Sequence, residues 1–334
     1  MKTKQILFTE AYVAKLEEAE LSEPGFGKVQ VRLSHSTISS GTERAKLTGS
    51  RSCGWKKPED EIAVFPRQGG YSSSGVITAL GEGVTDLKVG DRVALSWSTH
   101  RETLNLSQEN VCLLDGVSFE DGALFHIATF PLAAMRKCRL ELGESAIVMG
   151  MGILGLLSLP LLRASGAFPI IAVDPDPQKR EKALSCGADF VLDPYDPLFS
   201  QKAKELTGGG ARVGIEVTGI GKGLEGILDC MARGGRVALL GCTRESDFTI
   251  DYYRKVHGPG ITLIGAHTHA RPKTDSYGGW WTQRDDMEAL IRLTKGGRLH
   301  LSALVEETHS PEEAPEVYDR LAYDKTFPIV QFRW

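Results

Sequence analysis

The stretch that decides the fold runs from Ser145 to Asp174, SAIVMGMGILGLLSLPLLRASGAFPIIAVD. It opens on a short apolar run, turns through GMGILG at 150–155, continues as an apolar segment of helical length, and closes on a second apolar run ending in Asp174. Strand, glycine turn, helix, strand and acid, in that order, make a dinucleotide-binding unit. Gly150 permits the tight turn, Gly152 lets the backbone approach a pyrophosphate, and Gly155 lets the helix lie close on the strand. At the helix start, the amides of Ile153 and Leu154 offer N–H groups and the positive end of the helix dipole to an anion. Asp174, about 20 residues on, is placed to hold the adenosine ribose hydroxyls and to repel a 2′-phosphate, so NAD is expected rather than NADP. Arg180 is near enough to serve a phosphate, although a surface arginine on the next helix is the plainer reading. Pro160 is expected to kink the helix or shift its hydrogen bonding.

Strands continue to alternate with helices beyond this unit. FVLD, VGIEVTG, RVALLG and ITLIGA read as strands, with helices around Phe199 to Leu206 and in KGLEGILDCMARGG. That alternation predicts a parallel sheet covered on both faces. Ligands bind at the carboxyl ends of such strands, so Val217, Thr218 and Gly219, and Gly241, Cys242 and Thr243, are candidate nicotinamide or ribose neighbours. Upstream, short strands separated by Gly81, Gly83 and Gly90 suggest a barrel-like β domain. Composition shifts near 121 and 266 set off 121–265 as the nucleotide unit from 1–120 before it and 266–334 after it.

The bulk properties are those of a globular protein, with 334 residues, 41% hydrophobic and 25% charged. Lys and Arg number 39 against 43 Asp and Glu, for a formal charge of -4, and no basic run points to nucleic acid or to an anionic membrane. Cys53, Cys112, Cys138, Cys186, Cys230 and Cys242 are scattered, without the clustering a structural zinc site or a disulfide framework needs. The amino-terminal segment lacks the apolar run of a signal peptide, and the glycines, prolines and Arg163 within 145–173 argue against a membrane span. A cytoplasmic enzyme with a small-molecule substrate, assembled as a homodimer or homotetramer, is the expectation.

The layout resembles the medium-chain dehydrogenase/reductase superfamily over nearly the whole chain. The motifs that carry the resemblance are the Gly75 to Val93 segment, GVITALGEGVTDLKVGDRV, then GMGILG, the acid in AVDPD, GADFVLD at 187–193, and IEVTG followed by GGRVALLG. The resemblance implies a Rossmann doubly wound parallel sheet inserted in a GroES-like β-barrel catalytic domain built from both chain ends. It also implies two zinc sites, and here the sequence departs from the family. Where zinc members have C-G-[ST]-D this chain has Ser40-Gly41-Thr42-Glu43. Where they have G-H-E it has Gly70-Tyr71-Ser72, and the position on the first helix into the nucleotide domain falls at His126. The segment 96–111 that would hold the structural zinc has no cysteine.

Serine and tyrosine are poor zinc ligands at neutral pH, so no catalytic zinc is expected. A rearranged site made of His35, Glu43 and His126 is the alternative. Without metal, a side chain must handle the alcohol proton and the developing alkoxide. The resemblance puts Tyr71 there, with Thr42 as a relay, Glu43 as an orienting carboxylate, and Arg44, Lys46 or His126 as the cation a phenol needs. Packed structural roles for Tyr71 and His126 are the competing reading.

Substrate recognition is expected from Ser40, Lys46, His267, Arg271, Trp280 and Trp281, in a tail that also holds Tyr252, Tyr253, His257, His269 and Arg284. Aromatic rings beside cations suit a polyhydroxylated ligand, and they equally suit a subunit interface. The sequence therefore points to a zinc-independent, NAD-dependent dehydrogenase of a secondary alcohol, on a sugar, polyol or related cyclic alcohol. The tail also resembles the bacteriochlorophyllide dehydrogenase branch. A zinc-free enone or quinone reductase and a nucleotide-binding protein without catalysis are the other readings.

Overall fold

A computed structural model describes residues 1–50, 63–243, 246 and 248–334; Cys53 lies outside them. The chain divides into two compact units, Met1–Ile127 with Met287–Trp334, and Ala128–Asp286.

Unit 1 begins with β1 (Lys2–Glu10), β2 (Val13–Glu20), β3 (Lys28–Thr37), α1 (Ser40–Leu47), β4 (Arg67–Gln68) and β5 (Ser72–Leu80). It continues through β6 (Arg92–Ser96), β7 (Thr103–Ser107), β8 (Val111–Leu113) and the start of α2 (Phe119–Lys137). In unit 2, β9 (Ala146–Met149), α3 (Ile153–Ala164), β10 (Ile170–Val173), α4 (Pro177–Ser185) and β11 (Phe190–Leu192) are followed by α5 (Phe199–Leu206) and β12 (Ala211–Glu216). Then come α6 (Gly221–Asp229), β13 (Met231–Leu239) and β14 (Thr262–Gly265). The chain re-enters unit 1 within α7 (Gln283–Lys295) and ends with β15 (Glu307–His309), α8 (Ala314–Tyr323) and β16 (Val330–Arg333).

The sheet of unit 2 has the order β11-β10-β9-β12-β13-β14, every pair parallel. The order reverses between β9 and β12, which makes the carboxyl ends of these two strands the switch point where ligands bind. Its core, centred on Ile147, Ile171, Ile215 and Val237, is fully buried because each of these strands is covered on both faces. Helix α3 runs on through Pro160, the residue expected to disturb it.

Unit 1 carries a sheet in the order β15-β16-β3-β5-β6-β8, with β7 also on β3, and a smaller sheet β2-β1-β4. Strand β16 pairs antiparallel with β3, Arg333 opposite His35, so residues from both ends of the chain complete one sheet. One core cluster packs Ile6, Phe8, Leu47, Tyr318 and Phe332. A second packs Val29, Val31, Ile77, Val93 and Leu95. Full burial of one such side chain is worth about 1.5–3 kcal/mol.

The units meet at 127/128 and 286/287, where the sequence reading put the changes at 120/121 and 265/266. Residues 266–286 join unit 2 because Asp286 ties them to α2. Its carboxylate accepts from Arg136 at 2.7 Å and faces Arg271 at 3.6 Å, while Arg271 also donates to the carbonyl of Thr129 at 3.2 Å. Among the described residues no helix is long and apolar enough to cross a membrane.

Candidate active site

Unit 2 carries the glycine turn between β9 and α3. Gly150 has φ +101°, a conformation that favours glycine. A methyl at Gly155 would lie 1.9 Å from the carbonyl oxygen of Gly150, so only glycine lets α3 approach its strand. A methyl at Gly152 would meet nothing within 4 Å, leaving open space over the helix start. Helix geometry leaves the N–H groups of Ile153 and Leu154 without partners inside the helix. Asp174 closes the turn from the neighbouring strand end. Its carboxylate accepts the N–H of Met151 at 2.8 Å and that of Asp176 at 2.9 Å. A backbone cradle with open space, a helix start and a carboxylate fits a dinucleotide.

Arg180 is committed elsewhere. It donates to the carbonyls of Asp174 and Pro175 and faces Asp193 at 3.4 Å, so its place as a phosphate ligand is taken by the backbone. Thr218 and Gly241 do follow the ends of β12 and β13. Buried Glu216 organises that edge, accepting the N–H of Thr218 at 2.7 Å, that of Gly219, and the Thr218 hydroxyl. A methyl at Gly150 would meet Thr218 Cγ2 at 2.8 Å, so the two loops touch across the switch point. Cys242 is exposed beside them.

Unit 1 gathers the proton-handling candidates around Tyr71. The Tyr71 phenol donates to the Ser39 hydroxyl and hydrogen-bonds with Thr42, so three hydroxyls adjoin. The Tyr71 ring meets the imidazole of His126 edge-on at 5.5 Å, and Trp97 meets the same imidazole at 4.5 Å. Trp97 holds φ +60°, the left-handed region that non-glycine residues rarely adopt outside special sites. Burial pushes the Tyr71 phenol up to about 12; Ser39 and Thr42 pull it down, and the Glu43 charge adds to the rise.

The helix that carries His126 is held by side-chain hydroxyls. Ser72 and Thr37 both donate to the carbonyl of Ala123 at 2.7 Å, Ser74 to that of Phe119 at 2.6 Å, and Gln331 to that of Glu120 at 2.8 Å. Gly122 faces Ser74 at a spacing where a methyl would be 3.2 Å from its Cβ. The run Ser72-Ser73-Ser74 thus sets the turn of α2 bearing His126, and Ser73 reaches Ser98 at 2.7 Å.

Several expected helpers go elsewhere. Glu43 does not bond Tyr71 or His126. Wholly buried, it accepts from the N–H of Ser39 at 2.8 Å, from His100 at 3.0 Å and from Tyr318. Burial alone would raise its carboxyl; His100, Tyr318 and the Ser39 amide outweigh that and hold it below the usual range. Arg44 donates to the carbonyls of Leu321 and Asp324, and Lys46 to that of Gln68, so neither supplies a cation to the phenol. Ser40 opens α1, half-buried. His35 lies by Glu120 at 3.6 Å, so His35, Glu43 and His126 do not converge.

Of the expected substrate readers in the tail, Arg271, Trp280 and Trp281 are taken up by packing inside unit 2. Trp281 covers the Arg136 guanidinium at 3.5 Å, Trp280 lies over the Lys137 amine at 4.5 Å, and Arg271 is held as described above. His267 is exposed next to His269, their rings 5.3 Å apart. Burial, then the Arg271 charge, lowers the Lys137 amine to about 8.

His100, Ser39, Tyr318 and Trp97 were not picked out in the sequence. For Ser39 the local cue misleads, since the capping spacing of three residues from serine to acid falls on Ser40 and Glu43. The other three carry none, because their partners are distant in the chain.

Family sequence models match at two places. The alcohol dehydrogenase GroES-like domain matches residues 28–138, and the zinc-binding dehydrogenase domain matches residues 154–294. The L-threonine 3-dehydrogenase of Pyrococcus horikoshii is 26% identical over 99% of this chain and 97% of its own length. The (R,R)-butanediol dehydrogenase of Bacillus subtilis is 32% identical over 62% of this chain and 68% of its own. Galactitol-1-phosphate dehydrogenase from Escherichia coli shares the fold, with a TM-score of 0.83 at 20% identity over 99% of this chain and 100% of that one. The chain belongs to the medium-chain dehydrogenase/reductase superfamily, among its dehydrogenases acting on CH–OH groups.

Proposed function

We propose that this protein is an NAD(H)-dependent oxidoreductase that interconverts a secondary alcohol and its ketone without a catalytic zinc. The observation that carries the reading is the Tyr71 phenol in its cluster of hydroxyls beside His126. The dinucleotide, held by the glycine turn and Asp174, accepts or supplies the hydride. The chain must then manage one proton and one developing negative charge. With its pKa raised, Tyr71 is a neutral donor at ordinary pH. In ketone reduction it donates its proton to the oxygen as charge builds there. In oxidation it accepts the alcohol proton while its own passes to the Ser39 or Thr42 hydroxyl, which releases its proton to solvent, so that one proton leaves per hydride transferred and no free phenolate forms.

Zinc is implied by the family, but the donor set does not fit it. Hydroxyls stand at Ser40, Tyr71 and Ser72, Glu43 is consumed by three donors, and His126 is left as one nitrogen ligand beside them. Among the described residues no group of three His, Cys, Asp or Glu could hold a metal. Asp174 supports NAD over NADP, since a 2′-phosphate would meet its charge while Arg180 is tied to backbone. The named threonine and butanediol dehydrogenases act on secondary carbinols, and we extend that to a sugar, polyol or related cyclic alcohol as substrate. The test is NAD and NADP turnover across an alcohol and ketone panel, with Tyr71→Phe and elemental analysis. Loss of turnover by about 10²–10⁴ in Tyr71→Phe, with NADH affinity intact, is expected. Unchanged turnover, or one tightly held zinc per chain, refutes the reading.

A further inference from the structure

Glu43 and His100 form a wholly buried hydrogen-bonded pair, 3.0 Å apart, that reaches Tyr71 through other residues. The roles along this chain of bonds can be assigned. Glu43, held ionised, can only accept, so His100 Nε2 carries a proton. The indole of Trp334 can only donate, and it donates to the Ser36 hydroxyl at 2.8 Å. That hydroxyl is in turn 2.7 Å from His100 Nδ1. The imidazole is therefore gripped at both nitrogens.

Two routes lead from His100 to Tyr71, one from its imidazole and one from its main chain. Through the phenol end, Glu43 takes the Ser39 N–H at the start of α1. Ser39 is the N-cap residue, yet its hydroxyl makes no cap hydrogen bond; it receives the Tyr71 phenol instead. Glu43 fixes the Ser39 backbone, and that leaves the hydroxyl for Tyr71. At the backbone end, the main-chain N–H of His100 donates to the carbonyl of Gly69 at 3.2 Å. A methyl at Gly69 would lie 2.8 Å from Glu43 Oε2, and one at Gly70, with φ +79°, would lie 2.8 Å from His100 N. The two glycines before Tyr71 are therefore the residues that let its backbone rest on the pair.

We infer that His100, acting through Glu43, Ser39 and the Gly69-Gly70 backbone, is a positioning residue that fixes both ends of Tyr71. The inference deepens the proposed dehydrogenase reading and rests on it for its kinetic consequence. A displacement of about 1 Å in a reacting group can cost about 10²-fold in rate.

The experiment compares wild type, His100→Leu and His100→Gln, the latter keeping an N–H donor toward Glu43. With ¹³Cζ-labelled tyrosine, Tyr71→Phe identifies the Tyr71 resonance among the 8 tyrosines. In His100→Leu that resonance is expected to move and kcat to fall about 10²-fold, with KM and NADH affinity retained. His100→Gln is expected to recover most of both. A folded His100→Leu with an unmoved Tyr71 resonance overturns the inference, as does equal impairment of the Leu and Gln variants. If His100→Leu does not fold, Ser36→Ala releases Nδ1 alone and must shift the same resonance; no shift overturns it. Absence of wild-type turnover across the whole panel would sink the dehydrogenase reading, while the resonance still decides the positioning role.

Discussion

Gly152 and Gly155, three residues apart in one turn, should fail in opposite ways when a single methyl is added to each. At Gly152 the backbone is extended, with φ −77° and ψ −171°, and the added carbon meets nothing within 4 Å. An alanine there is compatible with the fold and stabilises by about 0.4–1 kcal/mol through the unfolded chain. Its methyl occupies the space a pyrophosphate needs, so NADH affinity should fall by at least tenfold, about 1.4 kcal/mol. At Gly155 the methyl would lie 1.9 Å from the Gly150 carbonyl oxygen and 2.9 Å from its carbon. The obstacle is backbone, so α3 or the turn must move by about 1 Å, at a cost of about 1–3 kcal/mol or more. For a domain of this size each kcal/mol lowers Tm by about 2–4 °C. Thermal melting followed by circular dichroism, with NADH fluorescence titration, separates the effects. Gly152→Ala should melt no lower than wild type and bind poorly, while Gly155→Ala should melt several degrees lower. An alanine at 152 that binds NADH normally would refute the assignment of this cradle.

Other outcomes follow from the buried charges. Glu43→Ala leaves His100 and Tyr318 facing a void and should destabilise unit 1 by about 3–5 kcal/mol in denaturant unfolding. Because the folded Glu43 carboxyl is depressed, its contribution is present above the ordinary carboxylate range and is lost as pH falls through the folded value. Glu43→Gln should therefore flatten the acid limb of the stability profile, and an unaltered limb would count against the pair. Lys137 is lowered to about 8, so its charge opposes folding at pH 7, and that penalty fades as pH rises from about 8 towards the ordinary lysine value. Urea unfolding should show Lys137→Met faring best against wild type at pH 7 and losing ground by pH 10; a difference independent of pH would contradict this. Asp174→Ser should weaken NAD binding and improve NADP relative to it, and a retained preference would place the discrimination elsewhere.

The glycine turn, Asp174 and the six alternating strands were legible because their signals are local: a short motif, a period and an acid at a fixed remove. The barrel-like β domain was legible from short strands between glycine turns, while the joining of both chain ends and the matching of His126 to a zinc-ligand position came from the family resemblance. What the sequence hid depends on long-range partners. Glu43 looked like an orienting group for Tyr71, yet its imidazole partner lies 57 residues away in a stretch, STH, with no pattern to mark it. Arg44 and Lys46 looked like available cations because carbonyl acceptors leave no trace in a sequence. Trp280 and Trp281 looked like a ligand platform for the same reason: the cations that cover their faces sit on α2, more than a hundred residues upstream.

The pairing of β16 with β3 has a consequence for synthesis. Unit 2 is one continuous stretch, but the sheet of unit 1 needs a strand encoded after all of unit 2. At about 5–20 residues per second, the 35–37 stretch of β3, which β16 takes and β7 does not cover, must wait on the order of ten seconds or more unpaired on that edge. A bare strand edge is a template for the wrong partner. Unit 2 can be finished while unit 1 is still open, so nascent chains should be vulnerable through their first 127 residues until β16 emerges. A slow stretch of translation late in the message would prolong that exposure.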